Sequence, residues 1–403
     1  MKARTRDLMI VCLGLVVLSV MLAGPMQVQA KDPYKIGIDN SLTGQYSVYA
    51  VDFQEAIELA VAEINAKGGI NGHPVELVIR DDESDAVNAA NNIRSLAASG
   101  VLVMTGMASF DLASAAAPVV EEVKLPTVQL APIDPPYIQP GGYNFGGIWW
   151  TMESVTIARL AACARHDLKK AALLMPKDPV GEITSKTIKD LASKVGVEVV
   201  GLEWMLGTDT DVTPQLIKLK RAKPDVVVNG GSGRAAVVMY KSLKRLGWNI
   251  PMVTLDANTT PSFIEAMGED ADIVLAWAAA SGLRPDAIPG TYPTKNLIEK
   301  FATMWKKKTG KSAGSIAAQG YDAVRSLFAI LEEVNPDPAI QDIKEIRVKI
   351  RDALENQCFQ GMDWKICRTP NDHKGAGEAM IWIAKVDGQS FVPVTEADMA
   401  KFK

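Results

Sequence analysis

Histidine and cysteine are scarce in this 403-residue chain, and it has no excess of positive charge. The three histidines, His73, His166 and His373, lie far apart without the spacing of metal ligands, so we expect ordinary surface residues. Acidic residues outnumber basic ones by 47 to 43, which disfavours nucleic acid as a partner. The sequence therefore predicts neither a metal site nor a nucleic-acid interface.

Catalytic motifs are also missing, since the chain has no G-x-S-x-G elbow and no nucleophile beside a base. One pattern resembles that of an enzyme. The strand-like "DVVVNG" leads into Gly231-x-Gly233-x-x-Ala236, and Asp256 follows about twenty residues later, as in a dinucleotide site. A dinucleotide enzyme is the remote alternative, because a glycine-rich turn also brings backbone amides close to other small polar ligands. We expect a binding protein without a cofactor.

Long apolar runs are absent after the first thirty residues. Residues 1–30 contain three basic groups, Lys2, Arg4 and Arg6, then an apolar run, and end in "VQA" before Lys31. This pattern predicts a cleavable secretory signal and a mature chain that starts near Lys31. The alternative is an uncleaved membrane anchor.

Only three cysteines lie beyond this segment. In an oxidising compartment, Cys358 and Cys367 can close a small loop around "FQGMDWKI", with a stabilisation of about 2–3 kcal/mol. Cys163 lies in "IARLAACARHDL", whose apolar residues recur every three or four positions. We therefore expect Cys163 to be a free, buried thiol on a helix.

Strand-like and helical runs alternate through most of the chain, first from "YKIGID" to "LPTVQL" and again from "KAALLMP" to "IPMVTL". This rhythm is typical of parallel βαβ units and predicts an α/β fold with two Rossmann-like lobes. The apolar spacing predicts one helix over residues 53–66, preceded by a polar loop. The last part, from about residue 279, reads as helices and strands added to both lobes. We assign residues 31–150 plus 279–356 to the first lobe, and residues 151–278 plus 357–403 to the second.

Several motifs together resemble periplasmic solute-binding proteins of the branched-chain amino acid type. They are "NAKGGINGHPVEL" followed by "DDESD", then "TGMAS", "KDPVGE" and "AAQGYDAV". The resemblance covers nearly all of the chain after residue 30. It implies two lobes joined by a three-crossover hinge, which close on a small solute and pass it to a membrane ABC permease.

The resemblance also assigns roles to individual residues. Tyr49 matches an aromatic residue of the first loop, and Ser109 matches a hydroxyl that meets the solute's carboxylate. Asp256 matches an acid of the second lobe that meets an ammonium group, and Ser232 matches a position facing the cleft. A hydroxyl at a helix start can solvate a carboxylate, while an acid pairs with an amine.

The chain departs from that pattern at two places. In "LAPIDPP", Asp134 lies near the position where amino-acid binders carry a threonine, and an acid there repels an anion. At the lobe crossing, Trp149 and Trp150 replace an arginine and a small hydroxyl residue. The two tryptophans could pack the hinge or form an aromatic wall for a flat or cationic solute. The resemblance thus leaves open an amino acid, an aromatic acid or an amine as solute, and a ligand sensor as the alternative role.

Overall fold

The computed structural model describes residues 31–133, 136–147, 152–231, 233–268, 271–375, 377 and 380–402. Within them, the strands form two large sheets and one small hairpin. No helix in these ranges combines the length and the apolar character needed to span a bilayer.

The first sheet is entirely parallel and has the order β2-β1-β3-β4-β5. Its central strands are short apolar runs buried on both faces, as expected where helices cover a parallel sheet. The strands are β1 Tyr34–Asn40, β2 Val75–Asp81, β3 Val103–Gly106, β4 Thr127–Gln129 and β5 Asn144–Phe145. The connecting helices are α1 Ser47–Ala66, α2 Ala86–Ala98 and α3 Phe110–Val123.

The second sheet has the order β14-β13-β10-β9-β8-β6-β7, with a parallel part and two antiparallel strands at one edge. The parallel strands are β6 Lys170–Pro176, β7 Glu198–Met205, β8 Val226–Asn229, β9 Met252–Thr254 and β10 Val274–Ala278. The helices are α4 Met152–Arg165, α5 Pro179–Leu191, α6 Thr213–Lys220, α7 Arg234–Leu246 and α8 Pro261–Met267. The edge strands are β13 Trp382–Asp387 and β14 Ser390–Pro393.

The last third of the chain contributes to both halves. Its helices are α9 Lys295–Thr309, α10 Ser315–Val334, α11 Ile343–Leu354 and α12 Glu396–Ala400, and its hairpin strands are β11 Cys358–Gln360 and β12 Lys365–Cys367. Helix α10 packs against α1, while β13 and β14 extend the second sheet. The chain therefore passes between the two halves three times. The prediction of an α/β fold with two lobes built on parallel sheets is confirmed.

Helix α1 begins earlier than the predicted residue 53. Tyr49 and Ala50 are buried and lie four and three residues before Phe53, so the apolar stripe extends one turn further back. The hydroxyl of Ser47 also donates to the carbonyl oxygen of Gly44 at 2.8 Å. Tyr49 thus belongs to the first turn of a helix and not to a loop.

The packing of α10 on α1 depends on a glycine. A Cβ atom added at Gly320 would lie 2.6 Å from the carbonyl oxygen of Phe53, which is too close for any side chain. The two helix backbones therefore approach each other at this point, and helix α10 is held against the first lobe.

Two of the three histidines are buried, contrary to the surface positions expected from the sequence. His73 stacks on Tyr34 with 4.3 Å between ring centroids. His373 stacks on Phe145 at 4.3 Å and its Nε2 lies 3.0 Å from a carboxylate oxygen of Glu355. Both imidazoles fill aromatic and hydrogen-bonding roles that no local sequence pattern indicated.

Candidate functional site

The two lobes meet near the carboxyl ends of their parallel strands. Gly233, in the turn after β8, lies beside Val48 at the start of α1, and a Cβ atom added to the glycine would be 3.6 Å from the Cβ of Val48. In open parallel α/β sheets, ligands bind beyond the carboxyl ends of the strands. The candidate site is therefore built from the segments that follow β3, β8 and β9 and from helices α1 and α4.

Ser109 immediately precedes helix α3, in an extended conformation. Its hydroxyl donates a hydrogen bond to the carboxylate of Asp111, in the first turn of the helix. The same carboxylate accepts a bond from the Tyr46 hydroxyl at 3.1 Å, and burial together with Asp111 raises the pKa of Tyr46. Ser109 is at a helix start, as expected, but its hydroxyl already has a protein acceptor.

Tyr49 forms part of an aromatic row along α1. Its ring meets the edge of Phe53 at 6.3 Å between centroids and lies 6.1 Å from the ring of Tyr46. The side chain of Tyr49 is buried and its hydroxyl donates to the carbonyl oxygen of Ala108 at 3.3 Å. The same apolar cluster contains Trp277 of the second sheet, so it spans both lobes.

Asp256 follows β9 in a short 3₁₀ turn, Asp256–Asn258, and its side chain is buried. The carboxylate is paired with the guanidinium of Arg159 on helix α4. The guanidinium also stacks over Trp277, with its central carbon 5.2 Å from the ring centroid. Asp256 therefore has a cationic protein partner in the position where the resemblance places a solute ammonium group.

Sequence reasoning missed Arg159, although a signal was present. Val155, Arg159 and Cys163 are spaced four residues apart and so share one face of helix α4. The prediction that Cys163 is buried therefore also implied that Arg159 points inward, where a guanidinium needs an anionic partner. In the structure Val155, Arg159 and Cys163 are all buried.

A cavity lies at the carboxyl ends of β6, β8 and β9, next to the Arg159 and Asp256 pair. It has a volume of about 10 Å³, room for one water-sized group, and its walls are mainly apolar with a few polar side chains among them. The polar lining consists of Arg159, Asn229, Thr156 and Thr184. Trp277 is one of the apolar walls, and no sequence motif indicated that it would lie at the site.

Two amides of the glycine-rich turn after β8 already have protein acceptors. The N–H of Gly231 donates to the side-chain oxygen of Asn229 at 3.1 Å, and that of Gly233 donates to Asn258 at 2.7 Å. Ala236 is buried in the core. These bonds explain the Gly231-x-Gly233-x-x-Ala236 pattern as a structural turn and argue against the dinucleotide alternative.

Four of the proposed ligand-binding residues, Asp134, Trp149, Trp150 and Ser232, lie outside the described residues. The described ones, Tyr49, Ser109 and Asp256, all lie in segments that border the interface between the lobes. Away from this interface, the sulfur atoms of Cys358 and Cys367 are bonded across the β11 and β12 hairpin. Cys163 is free and buried, and burial raises the pKa of its thiol to about 12.

Two α/β lobes built on parallel sheets, with three chain passages between them and a candidate site at the strand ends, define a two-lobed binding protein. The chain belongs to the periplasmic binding protein family, whose model matches residues 33–390. The resemblance drawn from the sequence motifs is thereby confirmed.

Among curated relatives, the leucine-, isoleucine-, valine-, threonine- and alanine-binding protein of Pseudomonas aeruginosa is 26% identical over 82% of this chain and 84% of its own length. A Leu/Ile/Val-binding protein homolog of Brucella abortus is 24% identical over 58% of this chain, and the match spans only 63% of that relative. These relatives are named as binding proteins and not as enzymes.

Solved structures show the same fold. An extracellular ligand-binding receptor from Rhodopseudomonas palustris aligns with a TM-score of 0.79 at 22% identity, covering 91% of this chain and all of that one. The substrate-binding protein LivJ from Streptococcus pneumoniae, in complex with isoleucine, aligns with a TM-score of 0.75 at 19% identity over 90% of this chain and 99% of that one.

Proposed function

We propose that the protein is an exported receptor that captures a small organic solute between its two lobes and delivers it to the membrane permease of an ABC importer. The observation that carries this proposal is the meeting of the two lobes at the carboxyl ends of their parallel strands, where Gly233 lies beside Val48. Relatives named for the binding of leucine, isoleucine and valine support the same role.

Hinge motion between the lobes is part of the proposal. The first lobe would comprise residues 31–150 plus 279–356 and the second residues 151–278 plus 357–403. The membership of the strands in two separate sheets and the packing of α10 on α1 support this division. Closure around the solute would then bend the three passages between the lobes and leave both sheets intact.

Export is supported by the pattern of residues 1–30 and by the periplasmic family to which the chain belongs. The disulfide between Cys358 and Cys367 fits an oxidising compartment. We therefore propose that residues 1–30 are removed during export and that the protein acts in the periplasm.

The solute we propose is an amino acid or a related organic acid, small enough to be enclosed between the lobes. Tyr49, Ser109 and Asp256 are the described residues proposed to border it, and Asp134, Trp149, Trp150 and Ser232 are the others. The aromatic row along α1 and the stacked Trp277 provide apolar surface for the body of such a solute.

Native mass spectrometry of the exported protein tests the proposal, because a captured solute adds a defined mass to the folded chain. We expect a bound small organic molecule, or its uptake from a panel of amino and organic acids. Small-angle X-ray scattering should then show a smaller radius of gyration with the solute than without it. Failure to bind any member of the panel, with no retained molecule, would refute the receptor role.

A further inference from the structure

Arg159 has more hydrogen-bonding capacity than its protein partner uses. A guanidinium carries five N–H donors in a planar fork and no acceptor. One terminal nitrogen of Arg159 binds the carboxylate of Asp256, and Trp277 covers one face of the group. The Nε atom is buried and has no hydrogen-bond partner within the part of the chain that the structure describes.

Arg159 also lines the small cavity described above. Arg159 is only 8% exposed, so water does not cover the group as it would on the surface. Asn229, which lines the same cavity, accepts through its side-chain oxygen from the N–H of Gly231. A buried donor without an acceptor costs about 1–3 kcal/mol, and a charged donor costs more. A water molecule can fill this cavity, and so can one oxygen of a solute; either would supply the missing acceptor.

We propose that Arg159 determines which solutes the receptor takes: it binds the solute's carboxylate from the second lobe, and Asp256 positions Arg159 instead of binding a solute ammonium group. The inference rests on the proposed function and narrows its solute to small organic acids that need no α-ammonium group. The anion site is thus in the second lobe, opposite to the assignment that the family resemblance makes for Ser109.

The contacts of Ser109 in the first lobe also support an anion site in the second lobe. Ser109 directs its hydroxyl to Asp111, whose carboxylate stands in the first turn of α3, where a solute carboxylate would be repelled. In the second lobe, an ammonium ion approaching Asp256 would meet the adjacent guanidinium, a like charge in a buried setting. A carboxylate meets an open donor of Arg159 and forms a charge-assisted hydrogen bond.

Two matched sets of three compounds test the inference by titration calorimetry on the exported protein, after bound solute has been removed by unfolding and refolding. The first set is L-leucine, 4-methyl-2-oxopentanoate and L-leucinamide. The second is L-phenylalanine, 3-phenylpropanoate and L-phenylalaninamide. In each set the second compound lacks the amine and the third lacks the carboxylate. We expect the amine-free acid to bind at least as tightly as the amino acid, and the amide to bind about a hundredfold more weakly or not at all.

Three variants test whether Arg159 and Asp256 cause these differences in affinity. Asp256→Asn removes the negative charge beside Arg159 while its amide still holds the guanidinium, so the affinity for the amine-free acid should rise by about threefold or more. The double variant Arg159→Gln with Asp256→Asn removes both buried charges, so neither is left unpaired, and it should weaken that affinity by about thirtyfold or more. Arg245→Gln is the matched control, since Arg245 pairs with Asp211 at 2.9 Å but is 58% exposed. It should bind like the parent, and thermal unfolding checks that each variant is folded.

The results distinguish a failure of the inference about Arg159 from a failure of the proposed receptor function. If the amides bind as tightly as the acids, or if binding requires the amine and is lost in Asp256→Asn, the inference is wrong while the receptor function stands. If none of the six compounds binds and native mass spectrometry finds no retained molecule, the proposed capture of a small organic acid is wrong as well.

Discussion

Ser281 donates two hydrogen bonds to the carboxylate of Asp363, one from its backbone N–H at 2.8 Å and one from its hydroxyl. Ser281 lies just after β10, where the chain leaves the second sheet, and Asp363 lies in the turn of the hairpin through which it returns. The pair therefore ties two of the three passages between the lobes to each other, and both side chains are buried.

Stability should depend on pH through Asp363. Burial raises the pKa of this carboxyl from 3.8 to about 7, and the Ser281 bonds only partly oppose the shift. Between about pH 4 and pH 7 the unfolded chain has lost this proton while the folded chain keeps it, so stability falls as pH rises, by up to about 1.4 kcal/mol per pH unit. Above about pH 7 this contribution is gone. Urea unfolding at several pH values gives the free energy of unfolding as a function of pH. Between about pH 4 and pH 7, this free energy should fall less steeply for Asp363→Asn than for the parent.

The exposed Asp190, which pairs with Lys186 on the surface of helix α5, provides the control for that measurement. Asp190→Asn should keep the pH slope of the parent. The buried Asp322 also has a raised pKa, of about 6, so Asp363→Asn should reduce the slope without removing it. An unchanged slope in Asp363→Asn would refute the role given to this carboxyl.

The thiols of the exported protein should fall into two kinds. We expect Cys358 and Cys367 to form a disulfide and Cys163 to remain free, because it is buried and burial suppresses its reactive thiolate. Peptide mapping without reductant should find the 358 to 367 bridge, and an alkylating reagent should label Cys163 only after unfolding. A bridge that includes Cys163 would contradict this prediction.

Gly320→Ala should destabilise the protein by about 1–3 kcal/mol, since the added methyl group would press on the carbonyl oxygen of Phe53 and force α10 away from α1. Gly207→Ala is the control, because no atom lies within 4 Å of the Cβ position there. Thermal unfolding measures both variants. Equal midpoints of thermal unfolding for the two variants would show that α10 and α1 can move apart with little loss of stability.

Closure should change the intrinsic fluorescence saturably, because it should move at least one indole into a drier setting. The expected reporters are Trp149 and Trp150, which lie outside the described residues, and a phenylalanine at one of them should remove most of the change. Trp277 is now a third candidate, since it stacks on Arg159 beside the cavity. Trp305 on α9 serves as the control, because it is buried away from this cavity and Trp305→Phe should keep the response.

If Trp149 or Trp150 forms an aromatic wall, alanine at that position should also weaken binding by about 1–2 kcal/mol. Titration calorimetry of both alanine variants measures this loss of affinity. Affinity and fluorescence response equal to those of the parent in both variants would exclude the pair as wall and as reporter.

The sequence predicted the fold well because the relevant signals are local. Apolar runs such as β8 and the periodic stripe of α4 specify a buried strand and a buried helix face without reference to distant residues. It predicted the electrostatics of the site less well. Arg159 and Asp256 are 97 residues apart, and neither position by itself indicates that the two charges pair. Long-range pairs of this kind follow from the three-dimensional arrangement, which is why Asp256 was assigned to a solute group.

The packing of α10 on α1 also has a consequence for the order in which the chain can fold. Residues near position 50 need partners near position 320, so the first half of the polypeptide cannot complete its hydrophobic core while the rest is still on the ribosome. Contacts between residues that are so far apart in the sequence form late, and they lower the rate of folding. The first lobe therefore stays incomplete until the residues of α10 have been synthesised.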